Sequence, residues 1–155
     1  IQAGDPTSKP SGKGQSTNSV YHTIPAEFKT SLFHKKGVIA AARQPDNVNP
    51  EKASSGSQFY IAQGKVFTDA ELDLMEKQRL QGRKIPELYR KAYRTIGGIP
   101  HLDGNYTVYG EVINGLEIVD KIAAVEVSRG RDLNRPFTDV KIINVKLIKR
   151  KKKKM

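Results

Sequence analysis

Enzyme chemistry needs particular side chains at particular spacings, and most of the familiar constellations are missing from this 155-residue chain. There is no cysteine, so thiolate nucleophiles, thiolate metal sites and disulfides are all excluded. His22, His34 and His101 are far apart and none shares the short spacing of helical metal ligands, so no metal site is expected. No Gly-x-Ser-x-Gly elbow occurs, and Ser55 and Ser57 sit in a turn leading into an extended run, which argues against covalent catalysis. The Gly-Lys-Gly at 12–14 lacks both P-loop spacing and a following Lys-Ser/Thr pair. Glu71, Asp73 and Glu76 gather on one predicted helix, where a solvated face accounts for them. What stands out is a non-covalent feature. In SQFYIA (57–62), strand alternation puts Gln58 and Tyr60 on one face and Phe59 and Ile61 on the other. An amide beside an aromatic ring can grip and orient a ligand without making a bond.

The elements that would position this pair can be read from periodicity and punctuation. Residues 4–14, rich in Gly, Pro, Ser and Lys, form a loop. VYHTIPAEF reads as extended, with Val20, His22 and Ile24 on one side and Tyr21 and Thr23 on the other. A strand of small residues is expected over Val38–Ala42, where a backbone or ligand could approach closely, and residues 44–57 form a loop before SQFYIA. Thr68 and Glu71 have capping-box spacing, so a helix is predicted from Thr68 to Gln81 with Leu72, Met75 and Leu80 inward. A second helix opens at Ile85-Pro86, carries Leu88, Tyr89 and Tyr93 as apolar candidates, and stops at Gly97-Gly98. Strand Thr107–Ile113, helix Leu116–Ala123 (Leu116, Val119 and Ile122 on one face) and a long closing strand Asp139–Ile148 complete the reading. No internal repeat is visible.

Composition fits one globular domain, with 37% hydrophobic residues and no apolar run near the roughly eighteen residues of a membrane span. The chain reads as soluble, with no secretory signal, and its compartment is left open between cytoplasm and periplasm. The net charge of +11 is local. Seven positive residues lie between Lys146 and Lys154, and another seven, against two negative, between Glu76 and Arg94. The lysine run reads as a solvated end, and with no interleaved aromatic it offers no stacking platform for nucleic acid.

Three stretches, IQAGDPTSKPSGKG from Ile1, SSGSQFYIAQG from Ser54 and LDGNYTVYGEVINGLEIVDKIAAV from Leu102, resemble in that order the cyclophilins, the barrel-type peptidyl-prolyl cis/trans isomerases. The resemblance implies a mostly β fold, a closed antiparallel barrel with flanking helices. Residues 1–148 would be the C-terminal portion of a single such domain, 66–98 a helical hairpin inserted into it, and 149–155 a basic tail. It also implies that the family's Phe-His-Arg strand, with its principal catalytic arginine, and its Phe-Met pair belong just ahead of Ile1, so an upstream segment of the same domain is an expected partner.

At positions that match the family pattern, the resemblance implies roles. Gln2 aligns with the glutamine that bonds the substrate carbonyl, Gln58 with a second glutamine, and Tyr60 with the phenylalanine that floors the proline pocket; these are the expected catalytic residues. Ala42 and Arg43 stand where an Ala-Asn pair contacts the substrate backbone, and Leu102 matches a pocket leucine. His101 replaces a tryptophan and Tyr106 a histidine, exchanges that bear on cyclosporin affinity more than on catalysis. Taken singly, Tyr60 and Leu102 fit a core and Gln2 an exposed end; their joint occurrence within the three motifs selects the functional reading. The reaction implied is isomerisation of X-Pro bonds in proline-containing peptides and in unfolded or client proteins, and it needs no cofactor. The other reading is a peptide-binding module of the same fold with little or no turnover.

Overall fold

The computed structural model describes residues 1–5, 22–129 and 134–149. The predicted loop at 4–14 and Val20-Tyr21 therefore fall, but for Gly4 and Asp5, outside the described residues. The chain divides into two compact units, Ile1–Val125 and Glu126–Met155, described here separately.

The first unit is built on a four-stranded antiparallel sheet in the order β1 (Gln2–Ala3), β5 (Phe59–Ile61), β3 (Val38–Ala41), β6 (Val108–Glu111). The predicted small-residue strand is its centre. Ala40 pairs with Tyr60 on one side and Val108 on the other, and Ala40, Ala41 and Ala42 are all buried. Larger side chains there would compete for space with the rings and aliphatic groups flanking them. Val38, Ala40, Ala62 and Val108 form one core cluster, with Tyr60 and Ile99 packed against it. A second sheet pairs β2 (Thr23–Ile24) with β4 (Ser54–Ser55), so the extended run predicted around Thr23 is a strand only over two residues. The described strands make these two sheets and no closed barrel among themselves, giving a fold that is mostly β with three helices.

The helical hairpin follows its sequence signals closely. Helix α1 (Asp69–Gln78) starts at Thr68, whose hydroxyl accepts from the Glu71 N–H (3.3 Å) while the Glu71 carboxylate accepts from the Thr68 N–H (2.8 Å). Both halves of the capping box are thus present. Helix α2 (Glu87–Thr95) follows Pro86, and Tyr93 joins Phe67, Leu72, Leu80 and Ile85 in a second core cluster. Phe33 from the sheet-bearing part stacks on Tyr89 with centroids 4.0 Å apart, fastening the hairpin to the rest of the unit. Leu88 departs from expectation: it is 71% exposed, because Tyr89 and Tyr93, four residues apart, define the inward stripe and Leu88 lies off it. Glu76, read from sequence as part of a solvated face, is buried at 3% exposure, where it accepts from Ile85 N–H and Arg90 and pairs with Lys84.

After α2, Gly97 (φ +84°) ends the helix and Gly98 bridges to both Lys35 and Lys65. A Cβ on Gly98 would lie 2.2 Å from the His34 carbonyl oxygen and 2.6 Å from the Tyr93 ring, so only glycine lets these segments meet. The convergence delivers a short 3-10 turn, Pro100–Leu102, beside the sheet. Helix α3 (Leu116–Ala123) closes the unit, with Val119 buried and Asp120 bonded to Lys36.

In the second unit, residues 139–148 form no strand with any described residue, and Val140, Ile142, Ile143, Val145, Leu147 and Ile148 are exposed. The closing strand expected at Asp139–Ile148 is therefore absent from the structure. Alternating apolar residues make a segment competent for a strand, but the strand itself exists only with a ladder partner. The contacts among the described residues of this unit include a bridge between Val127 and Pro136, backbone hydrogen bonds from Ser128 to Arg135 and from Phe137 to Glu126, and an Arg135–Asp139 ion pair.

Candidate functional site

Strand β5 and the residue just before it carry Tyr60 and Gln58 to the same side, as alternation requires, and both open onto a groove of about 560 Å³ in the first unit. Gln2 enters from β1, which pairs with β5 in the register Gln2 to Tyr60. Its side-chain amide donates to the Gln58 carbonyl oxygen (3.0 Å), so the two carboxamides are linked and the Gln58 amide N–H groups face outward from that bond. Ala42 and Arg43 come from the end of β3, and Leu102 and Tyr106 from the turn and loop before β6. Seven of the eight residues singled out from sequence thus line one groove. His101 does not. Adjacent residues of a 3-10 turn point about 120° apart, so with Leu102 turned into the groove, His101 is directed elsewhere. It is half-buried, and burial followed by the charge of Arg79 lowers its pKa, favouring the neutral ring.

Arg43 is tightly held. Its side chain is 5% exposed; Nε donates to the Asn105 carbonyl (2.8 Å) and Nη1 to the Gln44 carbonyl and Asp46 (2.6 Å). The guanidinium lies 4.6 Å above the Tyr106 ring, a cation-π contact that clamps this wall of the groove. Tyr106 in turn meets Tyr60 edge to face, with centroids 5.8 Å apart. Lys52 donates to Asn105 Oδ1 (2.6 Å), tying the loop after β3 to the same wall.

Beneath the groove floor runs a buried polar chain that the sequence reading did not identify. Asp103 Oδ1 accepts from the His34 backbone N–H (2.7 Å) and lies 2.9 Å from His34 Nδ1, and Oδ2 accepts from the Tyr93 hydroxyl (2.6 Å). A carboxylate only accepts, so Nδ1 carries a proton, and in the neutral ring Nε2 is then the acceptor for the Tyr60 hydroxyl 2.8 Å away. Tyr60 therefore presents its ring to the groove while its hydroxyl is committed inward. Burial, with Tyr106 and the Asp103 charge adding to it, raises the Tyr60 phenol far above its ordinary range; burial and Asp103 do the same for Tyr93. These phenols are fixed donors at any physiological pH. His34 and Asp103 are 69 positions apart, and no local pattern connects them.

Among the described residues no group of three His, Cys, Asp or Glu side chains is placed to hold a metal ion. The groove offers an apolar floor, two linked amides and one clamped cation, a set suited to holding a neutral, partly apolar chain segment in a chosen conformation. The model of the family described as cyclophilin type peptidyl-prolyl cis-trans isomerase/CLD matches residues 1–147. The chain belongs to this cyclophilin family. Curated relatives agree in kind. A Streptococcus pyogenes protein named as a bifunctional phosphatase/peptidyl-prolyl cis-trans isomerase is 31% identical over 95% of this chain and 28% of its own. A Staphylococcus saprophyticus protein named as a peptidyl-prolyl cis-trans isomerase is 30% identical over 96% of this chain and 66% of its own. The Rhizopus delemar peptidyl-prolyl cis-trans isomerase-like 2 is 29% identical over 95% of this chain and 19% of its own. The cyclophilin chain thus spans two thirds or less of the length of these relatives.

Proposed function

We propose that the groove receives an X-Pro segment of an extended or unfolded polypeptide and accelerates its cis/trans isomerisation without covalent chemistry. The observation that carries this reading is the pairing of an apolar floor, made by Tyr60, Leu102 and Ala42, with the linked carboxamides of Gln2 and Gln58 in a single groove. Rotation about an amide meets a barrier of roughly 18 to 20 kcal/mol because planar resonance is lost. The two X-Pro isomers differ by only about 0.5 to 1 kcal/mol, so the task is purely kinetic. A site that fits the twisted amide better than either planar form lowers that barrier directly.

In this reading the proline ring sits against Tyr60 and Leu102, and the preceding carbonyl accepts from the amide N–H groups of Gln58 and Gln2 as it turns. Arg43 and Tyr106 form the wall along which the substrate backbone lies. Arg43 is not assigned as donor to the prolyl nitrogen, because Nε and Nη1 are already given to Asn105, Gln44 and Asp46. That donor is assigned, on the family resemblance, to the arginine expected ahead of Ile1. The family match through residue 147 supports reading 1–148 as part of one cyclophilin domain, with a closed barrel in the complete domain and 149–155 as a basic tail.

The test is a protease-coupled or exchange-NMR assay of the full-length protein on an Ala-Ala-Pro-Ala peptide. Catalysis well above the spontaneous rate is expected, with Gln58→Ala lowering kcat/KM about tenfold, the worth of one well-placed hydrogen bond. A full-length protein that binds the peptide and leaves its rate at the uncatalysed value would replace the enzyme reading with that of a binding module.

A further inference from the structure

A second cavity, of about 290 Å³, lies where the inserted hairpin meets the loop before β3 and the stretch from Asp103 to Val108. Its walls include Phe28 and Leu32, both 41% exposed, together with Ile85 and Tyr89 from the hairpin. Two large apolar side chains are thus left partly open to solvent at a concave surface. The charged side chains at this cavity are Lys29, Arg83 and Lys84 on one sign and Asp103 on the other. Asp103 is 8% exposed and its carboxylate is occupied by His34 and Tyr93, so the face turned to solvent is positive. Lys84 is held by Glu76, and Arg90 beside it is shared among Glu76, Asp69 and Asp73, so the positive face of the cavity belongs to Lys29 and to Arg83, whose guanidinium donates to the Asp103 backbone carbonyl. The loop is held in place by the Glu27 N–H donating to Thr107 Oγ1 (3.0 Å).

Tyr106 lines this cavity and the proline groove alike. The floor ring of the groove, Tyr60, is 5.8 Å from it, so a single aromatic ring separates the two spaces. An extended peptide advances roughly 3.3 Å per residue, so a side chain about one to three positions from the proline reaches the second cavity while the proline rests on Tyr60.

We propose that this cavity is a specificity subsite for the same client polypeptide, taking a leucine or aromatic side chain with a carboxylate beside it. The apolar side chain packs among Phe28, Leu32 and Tyr89, and the carboxylate meets Lys29. The inserted hairpin supplies half of this subsite and so selects among X-Pro sequences. The inference rests on the peptide-isomerase reading of the neighbouring groove.

The experiment compares three peptides on the full-length protein: Ala-Ala-Pro-Ala, and two extended versions carrying Leu-Asp before or after the X-Pro pair. One extended peptide should show a KM about tenfold lower with kcat unchanged, the scale expected for burying one large apolar side chain. Leu32→Ser and Lys29→Glu, both at exposed positions, should each remove most of that gain while leaving turnover of the short peptide at the wild-type value. Equal KM for all three peptides in a protein that isomerises the short one, or a gain that survives both substitutions, overturns the subsite and leaves the groove reading intact. If the short peptide is not isomerised, the groove reading fails, and amide shifts at Leu32 and Gly104 then decide the subsite alone. Shifts caused by an extended peptide and not by the short one sustain it; none overturns it.

Discussion

Replacing Tyr60 by phenylalanine separates the two jobs assigned to this residue. The ring, which floors the groove, is retained, while the hydroxyl that donates to His34 Nε2 is removed. The His34 side chain is 1% exposed, so its acceptor nitrogen cannot turn to water. A buried acceptor left without a donor costs about 1 to 3 kcal/mol. With a urea m-value of about 2 kcal/mol per molar, the midpoint should fall by about 0.5 to 1.5 M. Catalysis should hardly change, with kcat/KM on Ala-Ala-Pro-Ala within about threefold of wild type, because the phenol is pinned inward and cannot reach the substrate. Tyr60→Ala provides the contrast. Loss of the aromatic floor should lower kcat/KM by about thirtyfold or more, corresponding to about 2 kcal/mol of apolar contact. Urea melts and exchange NMR on the same samples read both quantities. A Phe variant as stable as wild type would mean that the His34 bond is not made; a folded Phe variant with a tenfold loss of kcat/KM would place the hydroxyl in the chemistry and refute the division of labour.

Three further outcomes follow from the packing and electrostatics. Glu76→Gln should destabilise the protein by about 2 to 3 kcal/mol in chemical denaturation, since it weakens charge-assisted bonds from Arg90 and Lys84 at a carboxylate that is 3% exposed. Stability should fall as pH rises above about 10, because Tyr60 and Tyr93 keep their protons when folded and lose them at the ordinary tyrosine pKa when unfolded. Absorbance at about 295 nm should show these two phenols ionising only with unfolding, and their titration in the native state alongside exposed tyrosines would contradict their burial. Gly98→Ala should cost about 2 to 4 kcal/mol or prevent folding, because the new methyl meets the His34 carbonyl and the Tyr93 ring; a thermal melt unchanged from wild type would rule out that close approach.

The features legible in the sequence were those with a local physical cause. The Thr68 and Glu71 spacing located the start of α1, Gly97-Gly98 ended α2, and alternation in SQFYIA put Gln58 and Tyr60 on one face. The three motifs assembled most of the candidate groove, because family resemblance carries long-range register that no window of residues contains. Features that depend on tertiary partners were not legible. Glu76 looked solvated because the Ile85 amide and Arg90 that satisfy it lie 9 and 14 positions away. Leu88 looked inward because its hydrophobicity, and not its place relative to Tyr89 and Tyr93, was the available signal. His34 was only an isolated histidine until Asp103 was brought beside it. The run Asp139–Ile148 has the periodicity of a strand, and periodicity cannot reveal whether an edge is there to receive it.

The buried chain from Tyr93 through Asp103 and His34 to Tyr60 makes the hairpin a structural support of the groove floor. Trimming residues 66–98 to a short connection would delete the tyrosine that caps Asp103 and leave a desolvated anion directly behind the ring of Tyr60 that lines the groove. A minimised or chimeric version of this domain would therefore have to be rewritten at 34, 60 and 103 as well. The hairpin and the sheet are, in that sense, a single engineering unit.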